Sequence, residues 1–265
     1  MSFQTHYGQW ALVAGASEGL GACYAEELAS RGLNLFLVAR RAELLQTLSA
    51  HISDTYHVQV KILALDLSLS ESIDHILQAT NHLEIGLLIY NAALSAVGPF
   101  QDTALDAHIK ELNTNVQAPL NLTYRLGKRM LAQGHGGIVL MSSLSAFQGS
   151  AYISTYAATK AFNIVLAEGL WEEWRTQRVD VLVCVAGAIK TPNYLASEPE
   201  KTGGLGDMTL EPAEVVRETL DALGKQPYVI PGRVNRISSF VMRHLLPRKT
   251  AIKFMGRILR GMYVK

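Results

Sequence analysis

A chain of 265 residues, 49% of them apolar and 18% charged, is long enough for one large α/β domain with a well-buried core, and its composition excludes an intrinsically disordered protein. A formal net charge of +1 gives the whole molecule no electrostatic case for nucleic acid. The charge is unevenly spread: no Asp or Glu follows Asp221 whereas ten Lys and Arg do, so an acidic body carries a basic tail.

Taken in chain order, short apolar runs alternate with longer amphipathic stretches. Strands are predicted at 10–14, 33–39, 58–65, 85–90, 137–141, 179–185 and 228–230. Many are apolar at nearly every position, the mark of strands covered on both faces. Helices are predicted at 19–31, 42–51, 71–82, 105–131, 155–175 and 212–223. This order predicts a Rossmann-type, doubly wound parallel sheet of about seven strands with helices on both faces. Residues 1–234 read as a single catalytic domain, with 190–210, rich in Gly, Pro, Ser and Thr, as a lid over a site. Residues 235–265 read as a basic amphipathic helical extension. Cys23 and Cys184 stand in apolar runs and are expected as buried free thiols, which fits a reducing compartment. Residues 1–9 have no signal-peptide pattern and no run of 18 apolar residues occurs, so a cytoplasmic location is expected. No metal centre is expected.

The first strand runs into Gly15-Ala16-Ser17-Glu18-Gly19-Leu20-Gly21, which opens a helix. Gly15 permits a sharp turn, Gly19 a close approach of backbone to a pyrophosphate, and Gly21 close packing of helix on sheet. The helix start offers N–H groups and the positive dipole end to phosphate. A tight strand-to-helix turn without a ligand is the plainer reading. The second strand ends at Arg40-Arg41, where an NAD-binding protein would place an acid for the ribose 2′-hydroxyl. An arginine there pairs instead with a 2′-phosphate, unless the two simply end the strand in solvent. Asp66-Leu67 and Asn91-Ala92-Ala93 end the third and fourth strands. Asp66 could accept from an adenine amino group, and either residue could merely start a loop.

Tyr156 and Lys160, at i and i+4, share a helix face. A phenol with a pKa of about 10 holds its proton too firmly near neutrality. A nearby ammonium stabilises the phenolate, so Tyr156 could exchange a proton with a substrate oxygen while hydride moves. Ser143, at the end of the preceding strand, could donate to the same oxygen as charge develops there.

In their order these residues resemble the short-chain dehydrogenase/reductase family, in its single-domain form, across residues 9–231. The match comprises Gly15-x-x-x-Gly19-x-Gly21, Asp66-Leu67, Asn91-Ala92-Ala93, Asn115, Ser143 and Tyr156-x-x-x-Lys160. The resemblance implies NADP(H) as cofactor and Asn115, Ser143, Tyr156 and Lys160 as the catalytic set. Asn115 would kink its helix and hold a water of a proton relay beyond Lys160, and Lys160 would hold the nicotinamide ribose. Gly187, the backbone of Ile189 and Thr191 would reach the nicotinamide amide and phosphate. Relatives commonly pair through the helices at 105–131 and 155–175, so a homodimer or homotetramer is implied. Three departures stand out. Ala186-Gly187 replaces Pro-Gly, which puts the stiffness of that loop in doubt. Ala93 stands for a common glycine. Ala14 stands where Thr is frequent, removing a side-chain hydrogen bond toward the fourth strand.

The substrate pocket is expected between Ser143, Tyr156 and the lid, walled by Leu144, Phe147, Tyr152, Tyr194 and Leu195. These are mostly apolar, which favours a lipophilic ketone or aldehyde, although ordinary packing under a loop would look the same. In the tail, Lys249, Lys253, Arg257 and Arg260 recur at helical spacing, with Ile252, Met255, Leu259 and Met262 on another face. Such a helix could lie peripherally on an anionic membrane surface, pack on the lid, or meet a second subunit. Three functions remain: an NADPH-dependent carbonyl reductase, an alcohol dehydrogenase on a sterol or fatty substrate, and a catalytically inactive NADP(H)-binding scaffold or sensor. The intact Asn115, Ser143, Tyr156 and Lys160 set argues against the last.

Overall fold

The computed structural model describes residues 3–196 and 209–263. The strands are β1 (Trp10–Ala14), β2 (Asn34–Ala39), β3 (Val60–Ala64), β4 (Ile85–Tyr90), β5 (Gly136–Ser143), β6 (Val179–Ala186) and β7 (Tyr228–Val229). They form one sheet in the order β3-β2-β1-β4-β5-β6-β7, every pair parallel. The helices are α1 (Phe3–Tyr7), α2 (Gly19–Ser30), α3 (Ala42–Tyr56), α4 (Ser72–Ala79), α5 (Leu105–Leu112), α6 (Ala118–Gln133), α7 (Ser154–Trp174), α8 (Pro192–Ala196), α9 (Pro212–Ala222), α10 (Arg233–Phe240) and α11 (Arg248–Tyr263).

The continuous apolar runs follow from a core on each face. Ala11, Val13, Leu35, Leu37, Leu182 and Cys184 point to one side, against α2, α3 and α9. Leu12, Ala14, Phe36, Val38, Val181 and Val183 point to the other, against α4, α6 and α7. Successive side chains alternate across the sheet, so a strand covered twice must be apolar at every position. Each such Leu or Val contributes about 1.5–3 kcal/mol on burial.

The differences from the sequence reading have local causes. The predicted helix at 105–131 is divided by a π turn, Asn113–Gln117, and ends beyond Gln133 on Gly134 in the left-handed region. α3 runs to Tyr56 and ends on His57, also left-handed (φ 56°), where no glycine marks the stop. α1 is too short for a periodic signal; it is held by Tyr7, whose hydroxyl donates to Asp180 Oδ2 at 2.9 Å. Cys184 is buried, but Cys23 is only half-buried, because it lies toward the edge of the α2 face that meets the sheet.

The ends of the predicted lid are pinned together. Leu210 N–H donates to Ala188 O and Lys190 N–H to Leu210 O, both at 3.0 Å. Residues 197–208 of that segment lie outside the described residues. The tail turns back on the body: the Arg243 guanidinium stands 4.2 Å over the Phe147 ring, and Arg260 Nε donates to the Tyr152 hydroxyl at 3.0 Å. Ala251 and Leu259 are buried. Among the described residues no helix is long and apolar enough to cross a membrane.

Candidate active site

All seven strands run the same way, so their carboxyl ends make one rim, and a cleft of about 450 Å³ follows it. Gly15, Ser17, Gly19 and Leu20 line it from the β1–α2 turn, and Arg40 and Arg41 from the end of β2. Asp66 and Leu67 follow β3, and Asn91, Ala92 and Ala93 follow β4. Ser143, Tyr156 and Lys160 line it from β5 and α7, and Gly187, Ile189, Thr191 and Tyr194 from beyond β6. Gly21 lies behind the wall. A Cβ there would strike the Gly15 carbonyl, so its role is close packing of α2. Gly15 is left-handed (φ 83°), and a Cβ on it would come within 2.6 Å of Ala92 N.

The loss of a side-chain bond at Ala14 is made good by backbone. Asn91 N–H and Ala92 N–H both donate to Ala14 O at 2.9 Å, and Asn91 Nδ2 donates to Gly15 O at 2.9 Å. Asn91 therefore ties the β4 end to the glycine turn. Asp66 Oδ1 accepts from Ser68 N–H at 2.9 Å, which starts the following loop. The proline missing at position 186 is replaced by sheet: β6 continues through Ala186, paired with Ser143.

The two arginines separate. Arg41 forms an ion pair with Glu18 and donates to Ser17 Oγ at 3.3 Å. Arg40 is exposed and has no ion-pair partner among the described residues. The pairing with Glu18 was not anticipated from sequence, because nothing local shows that the glycine turn reaches the β2 end.

On the chemical side, Ser143 Oγ accepts from the Ser145 hydroxyl at 3.0 Å and from Ser145 N–H at 3.3 Å. With its acceptor sites so used, Ser143 has its own proton to give. Lys160 is buried; its Nζ donates to Met141 O at 2.9 Å and lies 5.5 Å from the centre of the Tyr156 ring. Burial pushes its amine down to about 8, opposed by Glu111 and then Cys184. Asn115 lies in the π turn, fully buried behind the cleft. It holds Leu94 through both amide atoms, and its Nδ2 also donates to Thr159 Oγ1 at 3.1 Å, whose hydroxyl in turn donates to Tyr156 O at 2.7 Å. Ser145, Thr159 and Leu94 are thus supporting residues that carried no motif signal.

Of the expected substrate wall, Ser143 and Tyr194 face the cleft. Leu144 and Phe147 pack partly into the core beside β5, Tyr152 is held by Arg260, and Leu195 is exposed. The basic tail occupies the outer side of the 147–152 segment.

Residues around this cleft fit a dinucleotide. The first turn of α2 has no side-chain cap, which leaves its N–H groups for an anion. Gly19, left-handed at φ 57°, presents bare backbone opposite Thr191.

The family model for short chain dehydrogenases matches residues 9–201. The chain is 33% identical over 258 residues to a 7beta-hydroxysteroid dehydrogenase of Mediterraneibacter gnavus, covering 97% of this chain and 98% of that protein. It is 30% identical over 269 residues to the very-long-chain 3-oxoacyl-CoA reductase of Rattus norvegicus, covering 97% and 83%. A solved structure from work on 7beta-hydroxysteroid dehydrogenase stereoselectivity superposes with a TM-score of 0.91 at 31% identity, covering 96% of this chain and 99% of that one. A short-chain dehydrogenase from Sphingobium yanoikuyae, in complex with NADPH, gives 0.76 at 28%, covering 84% and 87%. The chain belongs to the short chain dehydrogenase family. It is an NADP(H)-dependent oxidoreductase acting on CH–OH and C=O groups.

Proposed function

We propose that this enzyme reduces a bulky, lipophilic ketone, with Tyr156 as the acid that protonates the new alcohol. The observation that carries this reading is the convergence of Ser143, Tyr156 and Lys160 on one stretch of the cleft wall. The uncapped α2 N-terminus would hold the pyrophosphate, Arg40 the 2′-phosphate, and Lys160, Ile189 and Thr191 the nicotinamide end. When bound, the cofactor supplies or takes up the hydride. Ser143 donates to the substrate oxygen and places it against the Tyr156 hydroxyl. The Lys160 ammonium stabilises negative charge on the phenol oxygen once its proton has gone.

The substrate class rests on the aromatic Tyr194 in the cleft wall and on the names of the relatives, which include hydroxysteroid dehydrogenases. A panel of steroid and aryl ketones scored by NADPH oxidation tests this. Turnover of at least one bulky ketone is expected; no turnover of any of them would end the reading.

Pairing of two copies through α5, α6 and α7 is supported by the exposure of Leu105, Tyr124 and Val165 there. A second reading of the tail, contact with anionic lipid, is favoured by the exposed Ile237, Phe240, Leu245, Ile252 and Phe254 beside its basic residues. Sedimentation with anionic vesicles, comparing the full chain with residues 1–234, separates that reading from purely internal packing.

A further inference from the structure

Helix α10 is built inside out. Its two buried residues, Asn235 and Ser239, are polar, whereas Val234, Ile237 and Phe240 are more than half exposed. A helix kept only for stability turns its apolar residues inward. A buried amide costs free energy unless it is hydrogen-bonded. Asn235 is 2% exposed and meets that need within its own turn, where Nδ2 donates to Pro231 O at 3.0 Å. That bond fixes which way the amide faces. The residue lies beyond the stretch matched by the family model, which ends at 201.

The amide faces Gly187, the first residue past β6 and part of the cleft wall. A Cβ on Gly187 would stand 2.8 Å from Asn235 Nδ2, 2.9 Å from Oδ1 and 3.0 Å from Cγ, and these are its three nearest atoms. Gly187 is not left-handed, so its backbone alone does not call for glycine. Glycine is needed there because Asn235 fills the place where a side chain would stand.

The same corner of the chain supports the residues that follow. Gly232 is left-handed (φ 81°), and a Cβ on it would stand 2.9 Å from Leu210 Cδ2. Leu210 in turn exchanges backbone bonds with Ala188 and Lys190, both at 3.0 Å. Glu218 of α9 anchors the corner, accepting from Gly232 N–H at 3.3 Å and from Arg236 Nη1 at 2.7 Å. At the far end of the segment, Thr191 Cβ lies 3.1 Å from where a Cβ on Gly19 would stand. Residues 187–191 therefore run along the cleft wall from β6 to a point opposite the glycine turn, with the 231–235 corner at their back.

We infer that Asn235 is a positioning residue for the nicotinamide. By filling the space behind Gly187 it fixes where the 187–191 backbone stands, and so how the hydride-bearing ring lies against Ser143 and Tyr156. This deepens the reductase reading and rests on its assignment of Ile189 and Thr191 to the nicotinamide end. Truncating Asn235 leaves a space into which Gly187 relaxes. The loss then falls on the nicotinamide, and the 2′-phosphate end at Arg40, on the far side of β1, is spared. A misplacement of about 1 Å at a reacting centre can cost about a hundredfold in rate.

The test uses the full chain with Asn235→Ala, Gly187→Ala and the double variant. Two ligands are compared: NADPH, and 2′,5′-ADP, which keeps the 2′-phosphate and lacks the nicotinamide. Asn235→Ala should bind 2′,5′-ADP as wild type does and NADPH about fivefold more weakly, the effect of one lost hydrogen bond. Its kcat should fall about tenfold, with the KM for the ketone little changed. Asn235→Ser, a smaller cut that keeps a hydroxyl beside Pro231 O, should show the same pattern at reduced size. In Gly187→Ala the new methyl group meets Asn235, and NADPH affinity should fall further. In the double variant the vacated space takes the methyl group, so affinity should recover above that of Gly187→Ala alone. Equal weakening of both ligands in the two Asn235 variants would make the role purely structural and overturn the proposal. Losses that simply add in the double variant would overturn it as well, since Gly187 would then answer to something other than Asn235. A wild-type protein that binds both ligands but reduces no ketone would instead sink the reductase reading and leave the ligand comparison standing.

Discussion

Asn115 and Leu94 hold each other in both directions: Asn115 Oδ1 accepts from Leu94 N–H at 2.9 Å, and Asn115 Nδ2 donates to Leu94 O at 2.8 Å. The pair locks the loop after β4 to the π turn, and Asn163 Nδ2 adds a bond to Asn115 O at 3.2 Å. Only an amide can serve both backbone groups. In Asn115→Asp the donor is lost and an acceptor faces the Leu94 carbonyl, so urea unfolding should show a loss of about 1–3 kcal/mol. kcat should fall more than KM rises, because the loop that moves lines the same cleft as Ser143, Tyr156 and Lys160. Wild-type stability in the Asp variant would show that the reciprocal pair does not set the loop.

How much of this was legible in the sequence differs by element. The strands were read within a few residues because burial on two faces forces long apolar runs, as in Trp10–Ala14 and Ile85–Tyr90. The residues lining the cleft were legible because a parallel sheet puts every strand's carboxyl end on one rim. The π turn at Asn113–Gln117 was not, because one extra residue in a turn leaves no mark on apolar spacing. Nor was the clasp of Arg41 by Glu18, or the seat of Arg260 on Tyr152, since each joins segments whose meeting is set by the whole fold. Phe147 and Tyr152 look like pocket residues by composition, yet the tail covers them from outside.

Ser143 has both acceptor sites occupied by Ser145, which aims its proton at the cleft. Replacing Ser143 with Ala should lower kcat by about 10²–10³. Ser145→Ala removes the hydroxyl but keeps the amide, so its loss should be clearly smaller. Equal losses in the two variants would mean that Ser145 itself touches the substrate.

Arg40 and Arg41 should differ in cofactor choice. Arg40 has no ion partner among the described residues, whereas Arg41 is engaged by Glu18. Arg40→Asp should weaken NADPH and relatively favour NADH, read as the ratio of kcat/KM values. Glu18→Gln should release Arg41 and tighten NADPH. If Arg40→Asp leaves the preference unchanged, the 2′-phosphate is held elsewhere.

Tyr156 separates chemistry from binding. Tyr156→Phe keeps the ring beside Lys160, which stands 5.5 Å from its centre, and removes only the transferable proton. Turnover should be abolished while NADPH binding, followed by fluorescence, stays largely intact. Residual turnover within tenfold of wild type would move the acid/base role to another group.

Lys160 gives a pH dependence with a definite sign. Burial lowers its amine from 10.5 to about 8, so the unfolded chain holds that proton more tightly than the native protein does. Below pH 8 both states are protonated and the native protein carries the full cost of a buried ammonium, about 3 kcal/mol at 1.36 kcal/mol per unit. Between about 8 and 10.5 the native amine is neutral while the unfolded one is charged, so stability from this group rises with pH. On the proposed mechanism activity should run the other way, because the ammonium assigned to support Tyr156 is lost above about 8. Urea unfolding of wild type and Lys160→Met at pH 7 and pH 10 isolates the effect, since other groups cancel in the difference. The wild type should gain on the Met variant as pH rises, while its kcat falls over the same interval. A difference in stability that stays flat with pH would mean the amine is not perturbed by burial, and the alkaline loss of activity would then belong to another group.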